Sequence, residues 1–139
     1  MNADAKKTVL RMIPYGIYVL TTDDGKGNVA AATVNFVTQT SFAPPLVVVA
    51  VKADSNACKI VKDAGAFALN MLGKSHKGQA FAFFKPAQVE GNKIGGEPFT
   101  KGASGAPVLT NAPGAVECKV KQIVAEGDHH VVIAEVVEA

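Results

Sequence analysis

The chain has 139 residues, of which 48% are apolar and 19% are charged, and a chain of this length usually folds around one hydrophobic core. This composition excludes a disordered chain and predicts a single domain spanning residues 1–139. The net charge of +2 comes from lysines and arginines scattered along the sequence, so no nucleic-acid partner is expected.

Neither a membrane span nor a disulfide is expected. The longest apolar run, residues 46–51, is far shorter than the ~20 residues that cross a bilayer. The first residues lack the apolar segment of a signal peptide, which predicts a cytoplasmic protein. Cys58 and Cys118 are distant in sequence and form no Cys-x-x-Cys pair, so we expect two buried free thiols and no metal site.

The first third of the chain predicts one helix and three strands. Apolar residues share a helical face between Asp4 and Ile13, and Pro14 ends that helix. Residues 16–22 and 30–38 are rich in β-branched side chains, and the turn residues 23–28 between them predict a hairpin. The unbroken aliphatic run 46–51 predicts a strand covered on both faces, at the centre of the sheet.

The rest of the chain predicts two further helices and three further strands. Ser55 is a good N-cap for a helix that Gly65 ends. A strand is predicted over 66–72, then a helix from Ser75 to Pro86, a long aperiodic loop over 87–106 that is a candidate lid, and a final hairpin over 114–137. Six or seven strands in hairpin order with short helices favour a mostly β fold, an antiparallel β-barrel.

Polar residues along the second strand could bind a flat heterocycle. Thr33, Asn35 and Gln39 present hydrogen-bonding groups to one side of an extended backbone that offers N–H and C=O groups of its own. The free N–H groups and positive dipole end of the Ser55 helix suit a phosphate, and Lys52 could add charge there. Each of these residues also has an ordinary alternative role: the threonines can face solvent, Ser55 can cap only its own helix, and Lys52 can be solvated.

No hydrolase motif is present: the sequence has no Gly-x-Ser-x-Gly, no phosphate-binding loop and no nucleophile beside a base. His129 and His130 begin the last predicted strand and point to opposite faces, so only one can line a given site. A cofactor that supplies its own reactivity therefore explains the sequence better than side-chain catalysis.

Several segments together resemble one known family, in order from Ile13 to Val136. They are Thr-Val-Asn-Phe-Val-Thr at 33–38, Pro-Pro-Leu at 44–46, Ser55, Phe-Ala-Leu-Asn-Met-Leu at 67–72, Pro-Val-Leu at 107–109, Glu-Cys at 117–118 and Gly-Asp-His at 127–129. The chain resembles the flavin reductase-like family, the FMN-binding split barrels that include flavoredoxins and the small reductase components of two-component monooxygenases.

The resemblance implies a six-stranded antiparallel split β-barrel of the FMN-binding type, a homodimer with flavin near the subunit interface. It further implies an isoalloxazine ring at Thr33, Val34 and Asn35, a ribityl chain near Thr38, Gln39 and Thr40, a phosphate at Ser55, Asn56 and Ala57, and a nicotinamide near His129. Lys52 and Phe84 complete the predicted cofactor contacts, and His129 is the predicted catalytic residue. Many family members carry a hydroxyl residue where this chain has Ala57.

Two functions follow as hypotheses. The first is an NAD(P)H-dependent flavin reductase that passes a hydride from NADH or NADPH to bound FMN, with FAD as a possible substitute and a redox protein or monooxygenase as a possible partner. The second is an FMN electron carrier, like a flavoredoxin, with little nicotinamide activity. Ala57 also leaves open a binding module that has lost flavin chemistry.

Overall fold

A computed structural model describes residues 1–139 and contains two antiparallel β-sheets and three short helices. A single 3₁₀ turn, Lys74–His76, precedes the third helix. In chain order the elements are α1 Ala3–Leu10, β1 Tyr18–Asp23, β2 Val29–Val34, β3 Val37–Phe42, β4 Pro45–Lys52, α2 Asn56–Ala64, β5 Ala66–Met71, α3 Lys77–Ala82, β6 Val89–Glu90, β7 Lys93–Ile94, β8 Glu97–Lys101, β9 Pro107–Leu109, β10 Ala115–Val124 and β11 His129–Glu138.

The larger sheet curls into a split barrel. Its seven strands follow the order β2-β1-β5-β10-β11-β4-β3, so β2 and β3 form its two edges although only Asn35 and Phe36 separate them in sequence. A chain that passes from one edge to the other within two residues requires the sheet to curl until its edges approach. The mostly β, antiparallel split barrel is confirmed. The single strand predicted over 30–38 is wrong, because the chain turns a corner at Asn35.

The aliphatic pattern of β4 predicted a strand at the centre of the sheet, and this prediction is wrong. Strand β4 lies next to the edge strand β3, and β10 occupies the middle of the sheet. Val49 and Val51 point into the core, while Val48 and Ala50 line a surface hollow beside Tyr15. A strand can therefore be apolar on both faces when one face packs inside the barrel and a neighbouring segment flanks the other. Both predicted hairpins, β1–β2 and β10–β11, are present.

Helix α2 packs across the barrel and contributes four buried residues, Ala57, Cys58, Ile60 and Val61. The Ser55 side chain accepts a hydrogen bond from the Cys58 N–H at 3.1 Å. The helix ends at Gly65, whose φ of 68° lies in the left-handed region. Both predicted caps are confirmed. The burial of Cys58 and Cys118 as free thiols is confirmed as well.

The segment predicted as an aperiodic loop, 87–106, contains three short strands, β6, β7 and β8. These strands and β9 form a four-stranded sheet in the order β6-β7-β8-β9, and glycines with positive φ, such as Gly91 and Gly95, make its turns. Buried Asn70 attaches this sheet to the barrel, since its side chain donates to the Val19 carbonyl at 3.0 Å and accepts from the Leu109 N–H at 2.8 Å. A segment held in this way is not the free loop that was predicted.

Glu117 provides a second polar attachment for the small sheet. Its carboxylate is buried on β10 and accepts hydrogen bonds from the Ser104 hydroxyl at 2.5 Å, the Ser104 N–H at 2.8 Å and the Ala103 N–H at 3.2 Å. Burial raises the pKa of Glu117, but these hydrogen bonds outweigh burial and leave the pKa below its ordinary value. Gly102 allows the close approach, because a Cβ there would overlap the carboxylate.

The other two helices are small. Asn2 caps α1 by accepting from the Ala5 N–H at 2.9 Å, and α1 ends at Leu10 with no buried residue. Ser75 does not cap α3 as predicted: it lies within the 3₁₀ turn, and His76 occupies the N-cap of a helix only six residues long. No helix in the chain has both the length and the apolar character needed to cross a membrane.

Candidate functional site

A cleft of about 290 Å³ opens beside the edge strand β2; we name it the edge cleft. Three segments line it: residues 29–32 of β2, residues 54–57 at the start of α2, and residues 83–87 after α3. The volume lies close to the lower limit for small-molecule sites. The edge cleft brings together Ser55, Asn56, Ala57 and Phe84 from the predicted site.

Strand β2 presents main-chain hydrogen-bonding groups to this cleft. The strand pairs only with β1, and its Thr33 N–H points away from β1 to the Phe83 carbonyl at 3.1 Å. In an antiparallel ladder, residues two apart point their N–H and C=O groups to the same side. The N–H and C=O of Ala31, which lines the cleft, therefore face the open side of the strand. Ala31 thus offers one donor and one acceptor to a planar ligand at this edge.

The tip of α2 offers donors for an anion. The Ser55 hydroxyl donates to the Lys52 carbonyl at 2.7 Å and accepts from Cys58, so its only proton is already used within the protein. The N–H groups of Asn56 and Ala57 have no acceptor in the first turn. An anion at this tip would be bound by those two N–H groups and the helix dipole, and the absence of a hydroxyl at Ala57 leaves the backbone donors intact.

Lys85 is the cation that lines the edge cleft, and the sequence reasoning missed it. Lys52, which was predicted to add charge there, instead lies 3.5 Å from Asp54 in an exposed ion pair and does not line the cleft. Helix α3 ends at Ala82 and not at Pro86 as predicted, so Lys85 lies in the loop after the helix, and sequence spacing alone gave no reason to place it opposite α2. Only the packing of residues 83–87 against β2 brings it there.

A second hollow, of about 450 Å³, lies at the β2–β3 corner; we name it the corner hollow. Asn35 and Thr38 from the predicted site line it together with Tyr15 and Phe36. The Phe36 ring contacts the Tyr15 ring edge-on, with centroids 5.6 Å apart and planes at 89°. The corner hollow is thus an aromatic-walled recess with an amide and a hydroxyl beside it.

His129 stands beside the corner hollow. Its ring centroid is 5.4 Å from that of Phe36, and its Nδ1 lies 3.0 Å from the Asp128 carboxylate. The hydrogen bond from His129 lowers the pKa of Asp128. The next residue, His130, contacts other groups: its Nδ1 lies 2.8 Å from Lys62 Nζ and 3.7 Å from Cys58 Sγ. The predicted opposite orientation of the two histidines is confirmed.

The remaining predicted residues have partners or positions away from both recesses. The Thr33 hydroxyl donates to the Ala80 carbonyl at 2.6 Å, and Val34 is buried in the barrel core. Gln39 donates to the Ser41 carbonyl at 3.2 Å, and Thr40 lies on exposed β3, its hydroxyl 3.5 Å from the Leu46 carbonyl. The side chains of Thr33 and Val34 are thus engaged within the protein, and the Thr33 N–H is bonded to the Phe83 carbonyl, so of these neighbouring residues only Asn35 lines the corner hollow.

The geometry describes a split β-barrel whose open strand edge and helix tip suit a planar ligand carrying an anion. A family model described as flavin reductase like domain matches residues 10–139. The chain therefore belongs to the flavin reductase-like domain family, which confirms the predicted resemblance.

Known relatives agree in sequence and in fold. A flavin reductase (NADH) of Kitasatospora aureofaciens is 29% identical over 99% of this chain and 71% of its own length. The FMN reductase (NADH) RutF of Pseudomonas syringae pv. syringae is 30% identical over 86% of this chain and 66% of its own length. The solved styrene monooxygenase flavin reductase of Pseudomonas putida S12 is 30% identical, with a TM-score of 0.78 over 94% of this chain and 82% of that one.

The relatives are named reductases, so the family is one of oxidoreductases. The chain is shorter than these proteins: across the curated relatives, the matched share of the relative's length runs from 38% to 76%.

Proposed function

We propose that this chain binds FMN along β2 and catalyses its reduction by NADH or NADPH. The observation that carries the proposal is the edge cleft, in which the open edge of β2, the free N–H groups of Asn56 and Ala57, and the Lys85 side chain line one recess. Relatives named flavin and FMN reductases support the assignment. FAD is the alternative flavin.

The residues fit the parts of FMN in turn. The phosphate would accept hydrogen bonds from the Asn56 and Ala57 N–H groups and the Lys85 ammonium at the tip of α2. The ring system, which carries both donors and acceptors, would pair with the free edge of β2 and continue toward Asn35 at the corner. Phe84, which lines the cleft with its ring half-exposed, would cover the ligand.

His129 would orient the nicotinamide. It stands beside the corner hollow, and its hydrogen bond to Asp128 fixes the ring against Phe36. Bound flavin supplies the ring atom that accepts the hydride, so the transfer needs no acid or base from the protein. The protein contributes alignment of two rings and exclusion of water between them.

Flavin binding tests the phosphate assignment. Adding FMN to the protein should quench flavin fluorescence, and Lys85→Ala should raise the Kd for FMN by roughly tenfold, the effect of losing one charge-assisted contact. Riboflavin, which lacks the phosphate, should bind wild type and Lys85→Ala equally. Lys119→Ala, an exposed lysine on β10, is the matched control. If wild type leaves the fluorescence of FMN and FAD unchanged, the proposal fails.

Anaerobic mixing with nicotinamides tests the activity. NADH or NADPH should bleach the flavin absorbance band within seconds, and His129→Ala should raise the nicotinamide KM by roughly tenfold without changing flavin affinity. His130→Ala, on the opposite face of β11, is the control. If only a reduced redox protein bleaches the flavin, the chain is the electron carrier of the second hypothesis.

The proposal includes a homodimer and a downstream acceptor. Phe81 and Phe84 are 60% and 62% exposed and their rings contact each other with centroids 5.4 Å apart, and Phe42 is 90% exposed. A second copy would cover these rings, and light scattering would measure the dimer mass.

The acceptor of the reduced flavin would be a monooxygenase or redox protein, as the name of the styrene monooxygenase relative suggests. Two free cysteines support a reducing, cytoplasmic location.

A further inference from the structure

A recess larger than both the edge cleft and the corner hollow lies beside the N-terminal helix. Helix α1 and the segment that follows it form a groove of about 570 Å³, closed on one side by Tyr15 and Phe36; we name it the α1 groove. Its volume is within the range of small-molecule sites. Because α1 has no buried residue, the barrel does not need this helix for its core, and the groove has no evident structural purpose.

The groove combines positive charge with apolar surface. Lys6, Lys7 and Arg11 line it from α1, and no carboxylate lies within 4.0 Å of any of them. Leu10 and Ile13 line the same groove and, with Tyr15 and Phe36, supply its apolar surface. Lysines scattered on a surface are normally solvated, but three unpaired cations on one concave, apolar wall suit a ligand with both phosphates and a heterocycle.

The groove adjoins the place where the nicotinamide is proposed to lie. Phe36 and Tyr15 line both the α1 groove and the corner hollow. The Phe36 ring also packs against His129, with ring centroids 5.4 Å apart. A ligand whose one end contacts His129 can therefore pass Phe36 and place its other end among the three cations.

We propose that the α1 groove binds the adenosine diphosphate end of the nicotinamide dinucleotide. Lys6, Lys7 and Arg11 contact the phosphates, and Tyr15 and Leu10 contact the adenosine. This inference rests on the proposed function, because it assumes that the nicotinamide lies at His129. The contacts are electrostatic and exposed, so affinity falls as salt rises.

ADP-ribose, the dinucleotide without its nicotinamide, is the probe that tests the groove by calorimetry on the flavin-loaded protein. Exposed charge contacts change affinity by about two- to fivefold each, so the variant Lys6→Ala/Lys7→Ala/Arg11→Ala should weaken ADP-ribose binding by roughly tenfold or more. Raising the salt from about 0.05 M to about 0.5 M should weaken wild-type binding and leave the triple variant little changed. The control variant Lys26→Ala/Lys119→Ala/Lys121→Ala removes three charges elsewhere and should bind as wild type.

Three results would overturn the groove assignment: no ADP-ribose binding by wild type, equal affinity in wild type and triple variant, or a triple variant that changes the oligomeric mass, which would show that a second copy fills the groove. Flavin titration of the same samples separates the two proposals. If the triple variant binds flavin and ADP-ribose with wild-type affinity, only the groove assignment is refuted. If wild type fails to bind flavin, the proposed function is refuted. The triple variant should keep wild-type stability, since α1 buries no side chain.

Discussion

Helices α1 and α2 are similar in length and in their N-caps but differ in their role. Asn2 caps α1 and Ser55 caps α2, each by accepting a backbone N–H three residues ahead. Helix α2 buries four residues in the barrel, whereas α1 buries none. A cap can start a helix, but only buried apolar contacts make it part of the folded core. The helix tip at the edge cleft is therefore held by core packing, whereas the helix that lines the α1 groove is exposed along its whole length.

The largest expected effect tests this difference in packing. Ile60→Ala on α2 removes a side chain that is 3% exposed and should lower the free energy of unfolding by about 2–4 kcal/mol. Leu10→Ala on α1, where the side chain is exposed, should change it by less than about 0.5 kcal/mol. Urea unfolding measures both values. Similar losses for the two variants would mean that α1 is packed in solution, for example against a second copy.

The next effect contrasts a satisfied buried charge with the unpaired cations of α1. Glu117→Gln leaves the Ser104 and Ala103 N–H groups facing an amide and should cost about 2–3 kcal/mol. Lys6→Gln removes an unpaired surface charge and should cost less than about 0.5 kcal/mol. Chemical denaturation at neutral pH compares them. Equal costs would contradict the buried role of Glu117.

The Glu117 effect should also depend on pH. The folded-state pKa of this carboxyl is lowered from the ordinary value of 4.5, so its contribution is complete above that value and is lost as pH falls through the lower folded pKa. The stability gap between wild type and Glu117→Gln should thus be largest near about pH 7 and should shrink below about pH 4. Unfolding curves across this range check the sign; a gap that widens in acid would refute it.

The smallest effect compares the two caps. Ser55→Ala should lower global stability by about 1 kcal/mol, because α2 unfolds with the barrel. Asn2→Ala should leave global stability unchanged within error and reduce only the helical circular dichroism signal, because α1 can unravel alone. Thermal unfolding and circular dichroism separate the two. A global loss from Asn2→Ala would mean that α1 belongs to the cooperative unit.

The local elements could be predicted from the sequence alone. Caps, turn residues and strand periodicity act over a few positions, which is why the α2 boundaries, both hairpins and the mostly β class were predicted correctly. The resemblance added the family, which the family model confirmed. The same local patterns misplaced the centre of the sheet, because an aliphatic run does not reveal which segment covers its second face.

The residues that share a recess come from distant parts of the chain, and long-range packing brings them together. The corner at Asn35 and Phe36 follows from closure of the sheet, a property of all seven strands and not of the local sequence. Lys85, and not the predicted Lys52, lines the cleft at the tip of α2 because residues 83–87 pack against β2. Long-range packing also places Phe36 against His129 and in the wall of the groove that the cations of α1 line. Such contacts join residues that are distant in sequence, and a local hydrophobic pattern does not predict them.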